Sequence, residues 1–153
     1  MASDVEHDGR TLAALPTRDS VLPMICALVA AHAREGGLDA LVNTLPRRFT
    51  LSDRLVDMPT AQSQAQIARL AENPADGAAT LGFTQSCGAL SHVDETDGLR
   101  MTFDTGEIIH LRPSGNAPEL RVYVEADSPR RAAELLQTGM DAISVWRHAP
   151  VPV

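Results

Sequence analysis

The alternation of apolar and polar positions is clearest late in the chain. There Leu120, Val122, Val124 and Ala126 interleave with Arg121, Tyr123 and Glu125. A period of two puts the two sets on opposite faces of a strand, one of them buried. The short β-branched run Ile108 to Leu111 predicts a second strand just upstream. Leu90 to Glu95 and Leu99 to Asp104 flank Asp97-Gly98, a favoured hairpin turn, and predict two more strands. Phe49 to Val56 has mixed alternation and is expected to contain a strand.

Helical spacing accounts for most of the remainder. Ala132, Leu135, Leu136, Met140 and Ile143 form one stripe of a helix from Ser128 to about Trp146, with Ser128 as cap and Pro129 as first residue. Gly139 costs helix propensity and is expected to allow close packing. Pro59-Thr60 opens a helix running to about Glu72, with Ala61, Ala65, Ile67, Ala68 and Ala71 on a small-residue face, and Asn73-Pro74 ends it. A third helix spans Val21 to about Arg34, capped by Asp19 or Ser20 and stopped at Gly36-Gly37. It is apolar nearly all round, Cys26 included, which predicts burial on most sides, yet little of the chain precedes it to supply cover. Leu38 to Leu45 reads as a short helical or irregular connection. Met1 to Arg10 reads as a frayed polar end and Pro150 to Val153 as an extended tail. The expected fold is α+β, an antiparallel sheet of about four strands with helices packed on one face. Expected boundaries are 1–44 for the N-terminal part, 45–148 for the main domain and 149–153 for the tail.

Composition narrows the function classes. The 153 residues carry a net charge of −7 and contain no lysine, so all 13 cationic side chains are arginine. With only 3% aromatic residues and no basic run, the chain lacks the usual footprint of nucleic-acid binding. The longest apolar run, Val21 to Ala31, is too short to span a bilayer. Cys26 and Cys87 give neither a disulfide framework nor metal spacing, and Cys26 in its apolar run reads as a small core residue. Free thiols and the lack of a signal peptide point to the cytoplasm. The acidic cluster Asp94 to Gly98 lacks calcium-loop spacing and reads as turn chemistry, so no metal site is expected.

Candidate chemistry concentrates in the loop Arg112 to Glu119, between the last two strands. Arg112 offers a planar fork of donors that matches a phosphate edge. Ser114 and Asn116 add short-range donors. Gly115 allows close backbone approach and φ values that other residues avoid. Pro113 and Pro118 stiffen the loop on both sides. Arg121, on the outward strand face, adds charge nearby. The same residue types also make ordinary turns.

The run Arg112-Pro-Ser-Gly-Asn-Ala-Pro-Glu-Leu-Arg121 resembles the phosphate-binding loop of the phosphomannomutase/phosphoglucomutase (α-D-phosphohexomutase) family, with the pattern Arg-x-Ser-Gly-Thr/Asn-x-Pro-x-x-Arg present at every fixed position. Residues 15–23 resemble the end of the third domain in bacterial members, so the helix at 21–34 would be a remnant of that domain. The resemblance implies a fourth-domain fold and a site of Arg112, Ser114, Gly115, Asn116 and Arg121 that clamps the phosphate of a hexose phosphate. Full-length members use a phosphoserine and an aspartate-held magnesium ion supplied by other domains. No Ser-His-Asn-Pro-like, Asp-x-Asp-x-Asp or Gly-Glu-x-Ser-Gly-His loop occurs here. The chain alone is therefore expected to bind phosphate but not catalyse, to contain no catalytic residue, and to hold no cofactor of its own. The missing domains, or a second copy through the 21–34 helix, are the expected protein partners. The alternative is a free-standing phospho-ligand or protein-interaction module derived from the family.

Overall fold

A computed structural model describes residues 4–14 and 20–148. The expected cap at Asp19, most of the 15–23 stretch and the tail at 149–153 lie outside the described residues. The chain divides into two compact units, Met1–Arg47 and Arg48–Val153.

In the first unit, β1 (Val5–His7) and β2 (Arg10–Leu12) pair as an antiparallel hairpin, where the sequence predicts a frayed end. The signal was Asp8-Gly9. Both residues take positive φ, +48° and +71°, as a two-residue hairpin turn requires. Helix α1 (Val21–His32) follows, and α2 (Gly37–Val42) begins at the glycine pair. The burial expected for α1 is not found. Val21, Met24, Ile25, Leu28 and Val29 are all more than half exposed, and Ala31 is its buried residue. Cys26, read as a core residue, is exposed as well.

The second unit is a five-stranded antiparallel sheet in the order β3-β7-β6-β5-β4. Its strands are β3 (Phe49–Val56), β4 (Leu90–Asp94), β5 (Leu99–Phe103), β6 (Ile108–Pro113) and β7 (Glu119–Ala126). All five segments read as strands from the sequence pair here, one more than the expected count of about four. Three helices, α3 (Thr60–Glu72), α4 (Pro74–Thr80) and α5 (Phe83–Cys87), join β3 to β4, and α6 (Pro129–Ser144) follows β7, ending in a 3₁₀ turn at Val145–His148. The sheet puts Leu99, Met101, Phe103, Ile109, Leu111, Leu120, Val122 and Val124 into the core, where they meet Met58, Phe83, Leu135 and Ile143. The opposite sheet face stays polar and half-exposed, as the alternation in β7 predicts.

Three local features fix how the helices sit. The Ser128 hydroxyl accepts the Arg131 backbone N–H and caps α6. Gly139 lies so near β7 that a Cβ there would come within 2.8 Å of Val122 Cγ1, so the helix depends on the missing side chain for its close approach. Arg131 donates from Nε (2.6 Å) and Nη2 (2.9 Å) to the two carboxylate oxygens of buried Glu107, and Nη2 also reaches the Ser86 carbonyl. This fork ties α6 to the start of β6 and the end of α5. The Cys87 thiol next to it is pushed up to about 11 by burial, with the Glu107 charge adding to the effect. The inner face of α3 departs from the alanine face predicted. Gln62, Ser63, Gln66 and Ile67 are buried, while Ala61 and Ala68 face outward. Gln62 donates to the Trp146 carbonyl at 2.7 Å and Ser63 to the Pro59 carbonyl, so these polar groups are satisfied rather than stranded.

Candidate functional site

The β6–β7 hairpin loop is pinned at several points. The Ser114 N–H donates to the Glu119 carbonyl and the Glu119 N–H to the Ala117 carbonyl. The Met58 N–H donates to the Pro118 carbonyl, and the Thr60 hydroxyl to the Ser114 carbonyl. Ser114 is buried, and its hydroxyl accepts the Asn116 N–H at 3.4 Å. In this state the Ser114 hydroxyl orders the loop. Gly115 and Asn116 are exposed at the tip.

The conformational argument for Gly115 does not hold, because its φ is not in the left-handed region. A Cβ added there would meet nothing within 4 Å. The fold itself therefore places no demand on this glycine. What its small size provides is open space above the loop backbone, suited to a ligand.

Arg112 and Arg121 are direct cross-strand partners on β6 and β7 and share the open sheet face. Both guanidiniums interact with the phenol of Tyr123, which follows Arg121 on the same face. Burial pushes the phenol up, but the hydrogen bonds from Arg121 and Arg112 outweigh it and hold Tyr123 below the ordinary tyrosine value. The two sequence-predicted arginines thus both stand beside the Tyr123 phenol. They do not line the same cavity, however. Arg112, Pro113 and Gly115 border a space of about 490 Å³ with α3 and the β4–β5 turn, whereas Arg121 and Tyr123 border one of about 370 Å³ with Ser52, Asp53 and Arg54.

Carboxylates already compete for the arginines. Arg112 Nε lies 2.7 Å from Asp97 Oδ2. Its N–H, screened from solvent, does not point along that line, so this is a charge pair that leaves the N–H without a hydrogen-bond acceptor. Asp97 is held in place by its turn: its carbonyl lies 2.7 Å from His110 Nε2, and Gly98 rests on the β6 backbone. Glu119 stands 3.2 Å from Arg54 Nη1 and 3.5 Å from Arg121 Nη2. Sequence reasoning passed over Asp97, Glu119, Tyr123 and Arg54 as parts of this constellation. Tyr123 and Glu119 were legible in the alternation beside Arg121. Arg54 was not, because only the pairing register brings it opposite Arg121. Asp94, in the acidic cluster, accepts the Thr96 N–H as a turn residue. Among the described residues no three His, Cys, Asp or Glu side chains converge to hold a metal.

Comparison with known proteins covers this same region. The family described as "Phosphoglucomutase/phosphomannomutase, C-terminal domain" matches residues 55–142, which include the whole loop. The chain is 42% identical over 143 residues to a protein named phosphomannomutase from Salmonella muenchen, and 40% identical over 144 residues to one of the same name from Sinorhizobium fredii. Each alignment takes in 94% of this chain but only 29% and 30% of the respective relative. A probable phosphoglucosamine mutase from Methanopyrus kandleri is 40% identical over 55 residues.

Proposed function

The chain belongs to the phosphoglucomutase/phosphomannomutase family, whose C-terminal domain it carries, and we propose that its β6–β7 loop binds the phosphate of a hexose phosphate. The observation that carries this reading is the pairing of Arg112 with Arg121 across the sheet. An unsatisfied Arg112 N–H and open space over Gly115 lie beside them. Arg112 and Arg121 supply charge-assisted donors, and Gly115 and Asn116 supply backbone and amide donors at the exposed tip. Ser114 orders the loop from below and can turn its hydroxyl to the ligand. Hydrogen bonds to charged groups contribute about 1.5–3 kcal/mol each, with the total reduced by desolvation and by displacement of Asp97.

Isomerisation of hexose phosphates is the work of a longer assembly in this reading. The nucleophilic serine and magnesium loops that the family resemblance calls for are not in this sequence. Phosphoryl transfer relies on positioning and charge neutralisation that a phosphate cradle alone does not supply. The 153-residue chain should therefore show no turnover of glucose 1-phosphate in a coupled assay, and measurable mutase activity would overturn this part of the reading. The exposed apolar side of α1 suits a surface completed by further family domains. The two unpaired cysteines suit a cytoplasmic setting.

The loop assignment is tested by calorimetric titration with mannose 6-phosphate. Arg112→Ala should weaken binding about 10- to 100-fold, the equivalent of one charge-assisted hydrogen bond. A variant that binds as well as the parent would remove the loop from consideration.

A further inference from the structure

The arginine row is three side chains wide. Arg54 on edge strand β3 is the direct partner of Arg121, which is the direct partner of Arg112. We propose that Arg54 is a third guanidinium of the phosphate site, so that the ligand is held from the edge strand as well as from the loop. This rests on the loop reading above and extends it.

Like charges directly opposite one another on neighbouring strands, about 4.8 Å apart, are destabilising. The fold nevertheless keeps three in one row. Glu119 is shared between Arg54 and Arg121 at 3.2 and 3.5 Å, longer than the roughly 2.7–2.9 Å of a strong charge-assisted bond. One carboxylate cannot occupy the donors of two guanidiniums. The unused donors lie beside the cavity of about 370 Å³ lined by Ser52, Asp53, Arg54, Arg121 and Tyr123. That volume falls within the range of small-ligand sites. Two cations and two hydroxyls meet there, the donor set for a phosphate dianion. Asp53 also lines it, with Oδ1 accepting the Arg54 backbone N–H at 2.7 Å. Arg121 stands between Arg54 and Arg112, so a single phosphate held at Arg121 is reached both from the edge strand and from the loop.

The test is titration of the full 153-residue chain with inorganic phosphate and with mannose 6-phosphate, comparing the parent with Arg54→Gln and Arg112→Gln. The Arg54 side chain is 59% exposed, so its variant should keep the parent's thermal midpoint. We expect Arg54→Gln to weaken both ligands about tenfold. Parent-like affinity in Arg54→Gln, with loss in Arg112→Gln, would overturn the proposal and leave the loop reading standing. Loss in Arg54→Gln alone would remove the loop reading and, with it, the proposal that edge strand and loop share one ligand. No binding by the parent, or no change in either variant, would overturn both.

Discussion

Replacing Gly98 by alanine should destabilise the sheet unit by about 3 kcal/mol, adding the left-handed penalty of an L-residue to a backbone clash. Gly98 has φ +94°, and a Cβ there would lie 2.4 Å from the Leu111 carbonyl oxygen and 3.0 Å from Arg112 Cα. Neither neighbour is a flexible side-chain end, so the turn itself must lift. For a domain of this size the loss corresponds to a thermal midpoint lower by roughly 10 °C or more. Urea unfolding of the variant checks it. A change below about 0.5 kcal/mol would mean that the turn is not seated on β6. Lifting the turn would also carry Asp97 away from Arg112, so the variant joins a stability defect to a change at the candidate site.

The second large effect is expected at the Glu107–Arg131 fork. Arg131→Ala leaves a mostly buried carboxylate without its cation and should cost about 2–3 kcal/mol, somewhat below a fully buried pair because Arg131 is partly exposed. The hydrogen bonds from Arg131 hold the Glu107 carboxyl below its ordinary range, against an opposing push from burial. A carboxyl depressed in the folded state contributes stability above its unfolded value of about 4.3. That contribution is lost as pH falls through the lower folded value. The parent should therefore lose stability more steeply than Glu107→Gln as pH drops below about 4.5. Equal slopes for the two proteins would show that the fork is not coupled to folding.

Much of the second unit was legible because its physics is local. The alternation in Leu120–Ala126, the Asp97-Gly98 turn and the Ser128-Pro129 helix start each carry their signal within a few residues. Five strand segments could be read, but their order could not, since pairing is decided by which faces bury together. That is why Arg54 went unnoticed: nothing near Phe49–Val56 says that it will lie opposite Arg121. The α3 face was misread for a related reason. Alanine spacing suggests packing, yet Gln62 is buried because a carbonyl 84 residues away accepts its amide. For α1, composition predicts burial, yet Val21, Met24, Ile25, Leu28 and Val29 stay exposed among the described residues. The loop motif was legible as a motif. Its internal balance of charge was not, because Asp97 and Glu119 become counter-ions only through folding.

The bonds from Thr60 to Ser114 and from Met58 to Pro118 fasten the hairpin loop to the segment that leads out of β3. A loop stitched down in this way has surrendered most of its backbone freedom before any guest arrives. For the phosphate proposed to bind there, recognition would take little further entropy from the chain, and the favourable heat of anion contacts would be offset mainly by stripping water from the arginines.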